Sequence, residues 1–114
     1  MNVTSISEAE HFTTKDGSTI RELHHTRAQS LAEARLEPGQ ATERHYHGRT
    51  EEIYFVLEGA GEMELDGERR RVEPGDAVLI PPGAWHQVTA GKALRFLCCC
   101  SPPYAHDDTV LLGT

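Results

Sequence analysis

A chain of 114 residues, 38% apolar and 25% charged, leaves room for one compact domain and little else. Its formal charge of −7 argues against a nucleic-acid or anionic-membrane surface, both of which need clustered basic residues. No stretch approaches the roughly 20 apolar residues that span a bilayer, and residues 1–10 are polar and acidic with no signal-peptide core, so the expected location is the cytoplasm.

From the N-terminus, residues 1–17 read as an arm, with a short helical turn over residues 5–11. No longer stretch repeats apolar residues at helical spacing. Alternation dominates instead: Ala32, Ala34 and Leu36 alternate with Glu33 and Arg35, and Met63 and Leu65 with Glu62, Glu64 and Asp66. Turn pairs punctuate these runs at Asp16-Gly17, Pro38-Gly39, Glu58-Gly59, Asp66-Gly67, Pro74-Gly75 and Pro82-Gly83. Many short strands separated in this way predict an all-β sandwich or barrel spanning residues 1–114.

Residues 52–57, Glu-Ile-Tyr-Phe-Val-Leu, are apolar on both faces after the first position. Glu52, Tyr54 and Val56 face one way, and Ile53, Phe55 and Leu57 the other. A lone barrel leaves one row wet, so cover is expected from the N-terminal segment or from a second subunit in a homodimer. Arg69, Arg70 and Arg71 lie beside Asp66 and Glu68 at a turn and read as a solvated strand end. Cys98, Cys99 and Cys100 are adjacent, so successive side chains point to opposite faces. They make a poor chelating trio and no ordinary disulfide framework, and read as buried free thiols.

His45 and His47 are two apart, which on an extended strand places both imidazoles on one face. Glu51 and Glu52 follow after a short bend and can fold back on the next strand. Imidazoles and a carboxylate suit divalent ions such as Mn, Fe, Co, Ni and Zn. The well-placed candidate for a further ligand is His86, after the turn at Pro81-Pro82-Gly83. Tyr54 shares the predicted face of Glu52 and is expected inside. Phe96 and Cys98 are candidates for the same interior, whereas Tyr46 and Trp85 alternate with ligands and point away. Of His24 and His25 only one can face inward. Tyr104, His106 and Asp107 lie in a Pro-Pro-led tail that reads as a packed terminus, or alternatively as a lid.

Residues 39–59, with Gly39, His45-Tyr-His47, Glu52 and Gly59, resemble the first motif of the cupin superfamily. Counting back from Gly59 selects Glu52, not Glu51, as the motif's carboxylate. Residues 75–86, ending Pro81-Pro-Gly83-Ala-Trp-His86, resemble the second motif, although Ala90 stands where the family closes on Asn. The resemblance implies a double-stranded β-helix, a jelly-roll barrel with one divalent transition-metal ion held by His45, His47, Glu52 and His86. It implies a small-molecule substrate or ligand. Dioxygenase-type oxidation is the favoured expectation. A metal-dependent isomerase, epimerase or decarboxylase, with Glu51 or Tyr54 moving the proton, is the alternative, and a non-catalytic binding module the third.

Overall fold

The computed structural model describes residues 1–113. Nine strands make one curled antiparallel sheet: β1 (His11–Thr13), β2 (Thr19–His25), β3 (Ser30–Leu36), β4 (His45–His47), β5 (Glu51–Leu65), β6 (Glu68–Val72), β7 (Ala77–Ile80), β8 (His86–Ser101) and β9 (Thr109–Leu111). A 3-10 turn, His106–Asp108, precedes β9. The turn-punctuated alternation implied a sandwich or barrel, and this is the jelly-roll barrel that the motif resemblance implied. No helix among the described residues is long and apolar enough to cross a membrane.

The barrel is organised by the two long strands. β5 and β8 pair along nearly their whole lengths, from Glu51 opposite Ser101 to Leu65 opposite His86. In its first half β5 also pairs with β7, and in its second half with β6. A strand that changes partners midway must bend, and here the bend is a register slip. Val56 lies opposite Phe96 but Gly61 opposite Ala90, so five steps along β5 match six along β8. A one-residue slip flips the inward face. Accordingly β5 buries Glu52, Tyr54 and Val56 before the bend, and Gly61 and Met63 after it.

Gly59 sits inside that bend with φ +88°, in the left-handed region. A Cβ there would also overlap the Ala93 carbonyl oxygen on β8. The motif glycine is thus required twice, by its backbone angle and by the close approach of the two strands. Ala32, Leu36, Val56, Val88, Leu94 and Phe96 fill the barrel between the two ends. Each large side chain fully buried there contributes about 1.5–3 kcal/mol.

The N-terminal segment is only partly an arm. Glu8 and Ala9 N–H groups both donate to the Ser5 carbonyl at 3.1 Å, giving the single turn expected. From His11, however, the chain joins the sheet edge, and Thr14, Asp16 and Ser18 are buried. Nor does the segment cover the outer row of β5. Ile53 and Phe55 are 39% and 38% exposed, with Leu79 beside Ile53 at 55%. Arg69, Arg70 and Arg71 lie exposed on β6, with Arg69 Nη1 donating to Glu62 Oε1 at 2.8 Å.

Replacing Gly59 with Ala should therefore cost about 2–4 kcal/mol of stability in urea unfolding. A loss below about 1 kcal/mol would mean that the β5–β8 bend relaxes around a side chain.

Candidate metal centre

β4 is only three residues long, yet it is wedged between β8 and β9, with His45 opposite His86 and His47 opposite Thr109. Its alternation buries both histidines and turns Tyr46 outward, where it meets Trp85 edge to face at 4.7 Å. The Arg44 guanidinium covers the Trp85 ring. His86 opens β8 directly after the Pro81-Pro82-Gly83 turn, which Gly83 N–H fastens to the His47 carbonyl at 2.8 Å. Glu52 enters from the second position of β5.

Together these elements bring one nitrogen from each of His45, His47 and His86 within 4.8 Å of one another. Glu52 Oε1 joins them, 3.3 Å from His47 Nε2 and 3.8 Å from His86 Nε2. His45 and His86 are 0% exposed, and His47 and Glu52 each 4%.

The outer nitrogens fix the tautomers. His45 Nδ1 lies 2.7 Å from the Glu43 carbonyl oxygen and His86 Nδ1 2.9 Å from that of Ala84. A carbonyl only accepts, so both Nδ1 atoms carry the hydrogen. Thr109 Oγ1 donates its own hydrogen to the Ala105 carbonyl, leaving a lone pair for His47 Nδ1–H at 3.1 Å. His45 and His86 therefore present a bare Nε2 inward, and His47 turns its Nε2 the same way, towards Glu52, the orientation that partners of metal-ligating histidines impose.

His45 Nε2, His86 Nε2 and Glu52 Oε1 are buried with no hydrogen-bond partner. Three acceptors converging with no donor between them would each cost about 1–3 kcal/mol. A cation satisfies all of them at once, and three imidazoles with a carboxylate are a donor set that borderline divalent ions accept. The residues fit a metal.

Titration follows the same geometry. Burial, aided by the neighbouring His45, pushes His86 down to about 4, so its ring is neutral at pH 7. Burial works in the same direction on His47, but Glu52 outweighs it and holds the imidazole above its ordinary value. Burial raises the Tyr54 hydroxyl and the Cys98 and Cys100 thiols, which all stay protonated.

Tyr54 lines the cavity as expected, its ring 5.9 Å from His86 and 4.8 Å from Phe96. Glu51 is a correction: it is exposed, on the outward row with Ile53 and Phe55, because neighbours on a strand face opposite ways. It is not available to move a proton at the cluster. His24 and His25 are exposed at the end of β2. The C-terminal tail is packed down: Tyr104 N–H donates to Ser30 Oγ, Asp108 accepts from the Arg49 and Thr50 N–H groups, and β9 closes over β4.

Two contributors were missed. Cys100 donates its thiol to Glu52 Oε2 at 3.1 Å, leaving Oε1 to face the imidazoles. Strand parity could have found it, since Cys98 and Cys100 share the face of Phe96. Asp16 approaches from the β1–β2 turn, with Oδ2 3.2 Å from His45 Nε2. Sequence showed Asp16 only as half of a turn. The cavity that these side chains line is narrow, with about 20 Å³ for the centres of water-sized molecules, close to one water's worth.

Comparison with known proteins agrees with this geometry. The family model described as the cupin domain matches residues 32–100. An uncharacterised protein of Methanocaldococcus jannaschii is 44% identical over 116 residues, covering 96% of this chain and 93% of its own length. Gentisate 1,2 dioxygenase 1 of Aquipseudomonas alcaligenes is 40% identical over 50 residues, which are 43% of this chain but 14% of that enzyme. Among solved structures, KdgF from Halomonas sp. superposes with a TM-score of 0.84 at 27% identity, covering 94% of this chain and 97% of that one.

Because a metal must displace the proton that Glu52 favours on His47, uptake of Co(II) should weaken as pH falls. The decline should approach tenfold per unit once the pH is below the His47 pKa, measured in competition with a chromophoric chelator across the neutral range. An affinity flat across that window would exclude His47 as a ligand.

Proposed function

The chain belongs to the cupin family, and on that premise we propose that it is a metal-dependent enzyme which oxidises a small organic molecule with dioxygen. One divalent transition ion is held by His45, His47, His86 and Glu52. The observation that carries the metal is the convergence of buried, partnerless acceptors on the imidazole cluster. The dioxygenase reading draws on the similarity to gentisate 1,2 dioxygenase. An iron, manganese or nickel ion held there would supply a redox centre at which substrate and dioxygen could be brought together.

The chain's own residues do the rest. The three Nδ1–H hydrogen bonds and the Cys100 thiol hold the donors in place before any ion arrives, so binding costs little reorganisation. Tyr54 and Phe96 form the wall of the cavity and exclude water. The Tyr54 hydroxyl, kept protonated by burial, is a hydrogen-bond donor to bound substrate rather than a base. The narrowness of the cavity favours a small ligand.

A redox-neutral reaction, isomerisation or decarboxylation with the metal as Lewis acid, is the second reading. It is favoured by the second phenol, Tyr104, which lines the same cavity and whose hydroxyl is raised by burial.

Purified protein should hold close to one transition ion per chain by elemental analysis. His47→Ala should lose most of it and Glu51→Ala none, whereas equal losses would refute the ligand set. Fe(II)-loaded protein should consume oxygen with small aromatic or diketone substrates. Turnover that persists in an anaerobic chamber would reject the oxidation in favour of the redox-neutral reaction.

A further inference from the structure

A second carboxylate reaches His45 from outside the strands that build the imidazole cluster. Asp16 is 8% exposed, and its two oxygens have different surroundings. Oδ1 is fully engaged, accepting from Thr14 Oγ1 at 2.6 Å, Ser18 Oγ at 2.7 Å and Ser18 N–H at 2.9 Å. The turn therefore accounts for Oδ1. It does not account for Oδ2, which stands 3.2 Å from His45 Nε2.

That contact joins two acceptors. His45 commits its hydrogen at Nδ1 to the Glu43 carbonyl, so Nε2 offers a lone pair, as a carboxylate oxygen does. Two acceptors so close repel unless something positive lies between them. A shared proton would make an ordinary hydrogen bond, but His45 Nε2 makes none, because the two atoms do not meet in that geometry. A metal ion does not require it. Neighbouring ligands on an ion with bonds of about 2.0–2.2 Å stand roughly 3 Å apart. The spacing of Asp16 Oδ2 from His45 matches this, as does the 3.3 Å between Glu52 Oε1 and His47 Nε2.

We infer that Asp16 Oδ2 is a fifth protein ligand, making a site of three imidazoles and two carboxylates. The inference rests on the metal reading above and is independent of the reaction assigned to it. Two carboxylates neutralise a divalent charge that would otherwise be buried with one unit uncompensated. They also bias the site towards ions that favour oxygen donors, manganese and ferrous iron, over softer competitors.

The test uses chelator-stripped full-length protein reloaded with Co(II). Asp16→Asn keeps an oxygen for Thr14 and Ser18 but replaces the second oxygen with an amide nitrogen that does not ligate. Its Co(II) dissociation constant should rise roughly ten- to a hundredfold, and the visible Co(II) absorption should change as a ligand is lost. The melting temperature of the metal-free variant should match that of metal-free wild type. Affinity and spectrum indistinguishable from wild type would overturn the inference while leaving the four-ligand site standing. Wild type that takes up no Co(II) would remove the site and the inference together. A readout that needs no variant is the infrared difference spectrum of protein labelled with ¹³C-aspartate. Adding metal should shift a labelled carboxylate band, and an unmoved band would also overturn the assignment.

Discussion

Everything inside this barrel depends on the pairing of β5 with β8. The pair runs from Glu51–Ser101 at one end to Leu65–His86 at the other, so one ladder fixes the height of Glu52 and His86. Side chains alternate with a period of two, and the ladder's register therefore decides which residues are inside. Glu52, Tyr54, Phe96, Cys98 and Cys100 share the cavity because Glu52 lies opposite Cys100 and Tyr54 opposite Cys98. The slip near Gly59 then turns β5 over, so that Met63, opposite Val88, packs inward beyond it as Tyr54 and Val56 do before it. A metal site and a hydrophobic plug are thus built from the same two strands.

Much of this was legible because it obeys local rules. His45-Tyr-His47 needs only strand alternation to place two rings together, and the same rule puts Ile53 and Phe55 outside. Choosing Glu52 over Glu51 needed the spacing to Gly59, and the structure supplies the physical reason for that spacing. Gly59 marks the close crossing, and the parity before it is counted from there. Glu33 was placed on the polar side of β3, as alternation requires, yet it is 0% exposed. Arg35 from its own strand and Arg95 from β8 close over it with hydrogen bonds of 2.8 and 2.6 Å. Periodicity assigns a face. It does not say what long side chain from another strand will cover that face.

The illegible part has a common cause, which is that the support of the cluster is non-local and largely backbone. The Glu43 and Ala84 carbonyls orient two of the rings, and any residue has a carbonyl. Thr109, 62 positions from His47, orients the third, and nothing near Thr109 in sequence marks it. Asp16 was hidden differently. Asp before Gly is a sufficient explanation of a turn, and only the direction of its second oxygen reveals more. The triple cysteine was read, from adjacency and strand parity, as buried free thiols. Burial does keep them protonated, but protonation is what lets Cys100 donate to Glu52.

The site also bears on how the barrel closes. β4 contributes three residues and is held by one pairing to β8 and three to β9, a small hydrogen-bonded area for a strand that carries two of the imidazoles. Gly83 N–H on the His47 carbonyl and the Asp108 carboxylate on the Arg49 and Thr50 N–H groups fasten the loops on either side. An ion shared by His45 and His47 on β4, Glu52 on β5 and His86 on β8 would clip the short strand to both long ones. Its binding energy would then add to folding stability by mass action, since the unfolded chain offers no assembled site. Without the ion, the converging lone pairs of Nε2 and the carboxylate oxygens work against the same closure. The arrangement that makes the cluster costly when bare is the one that makes it selective for a cation.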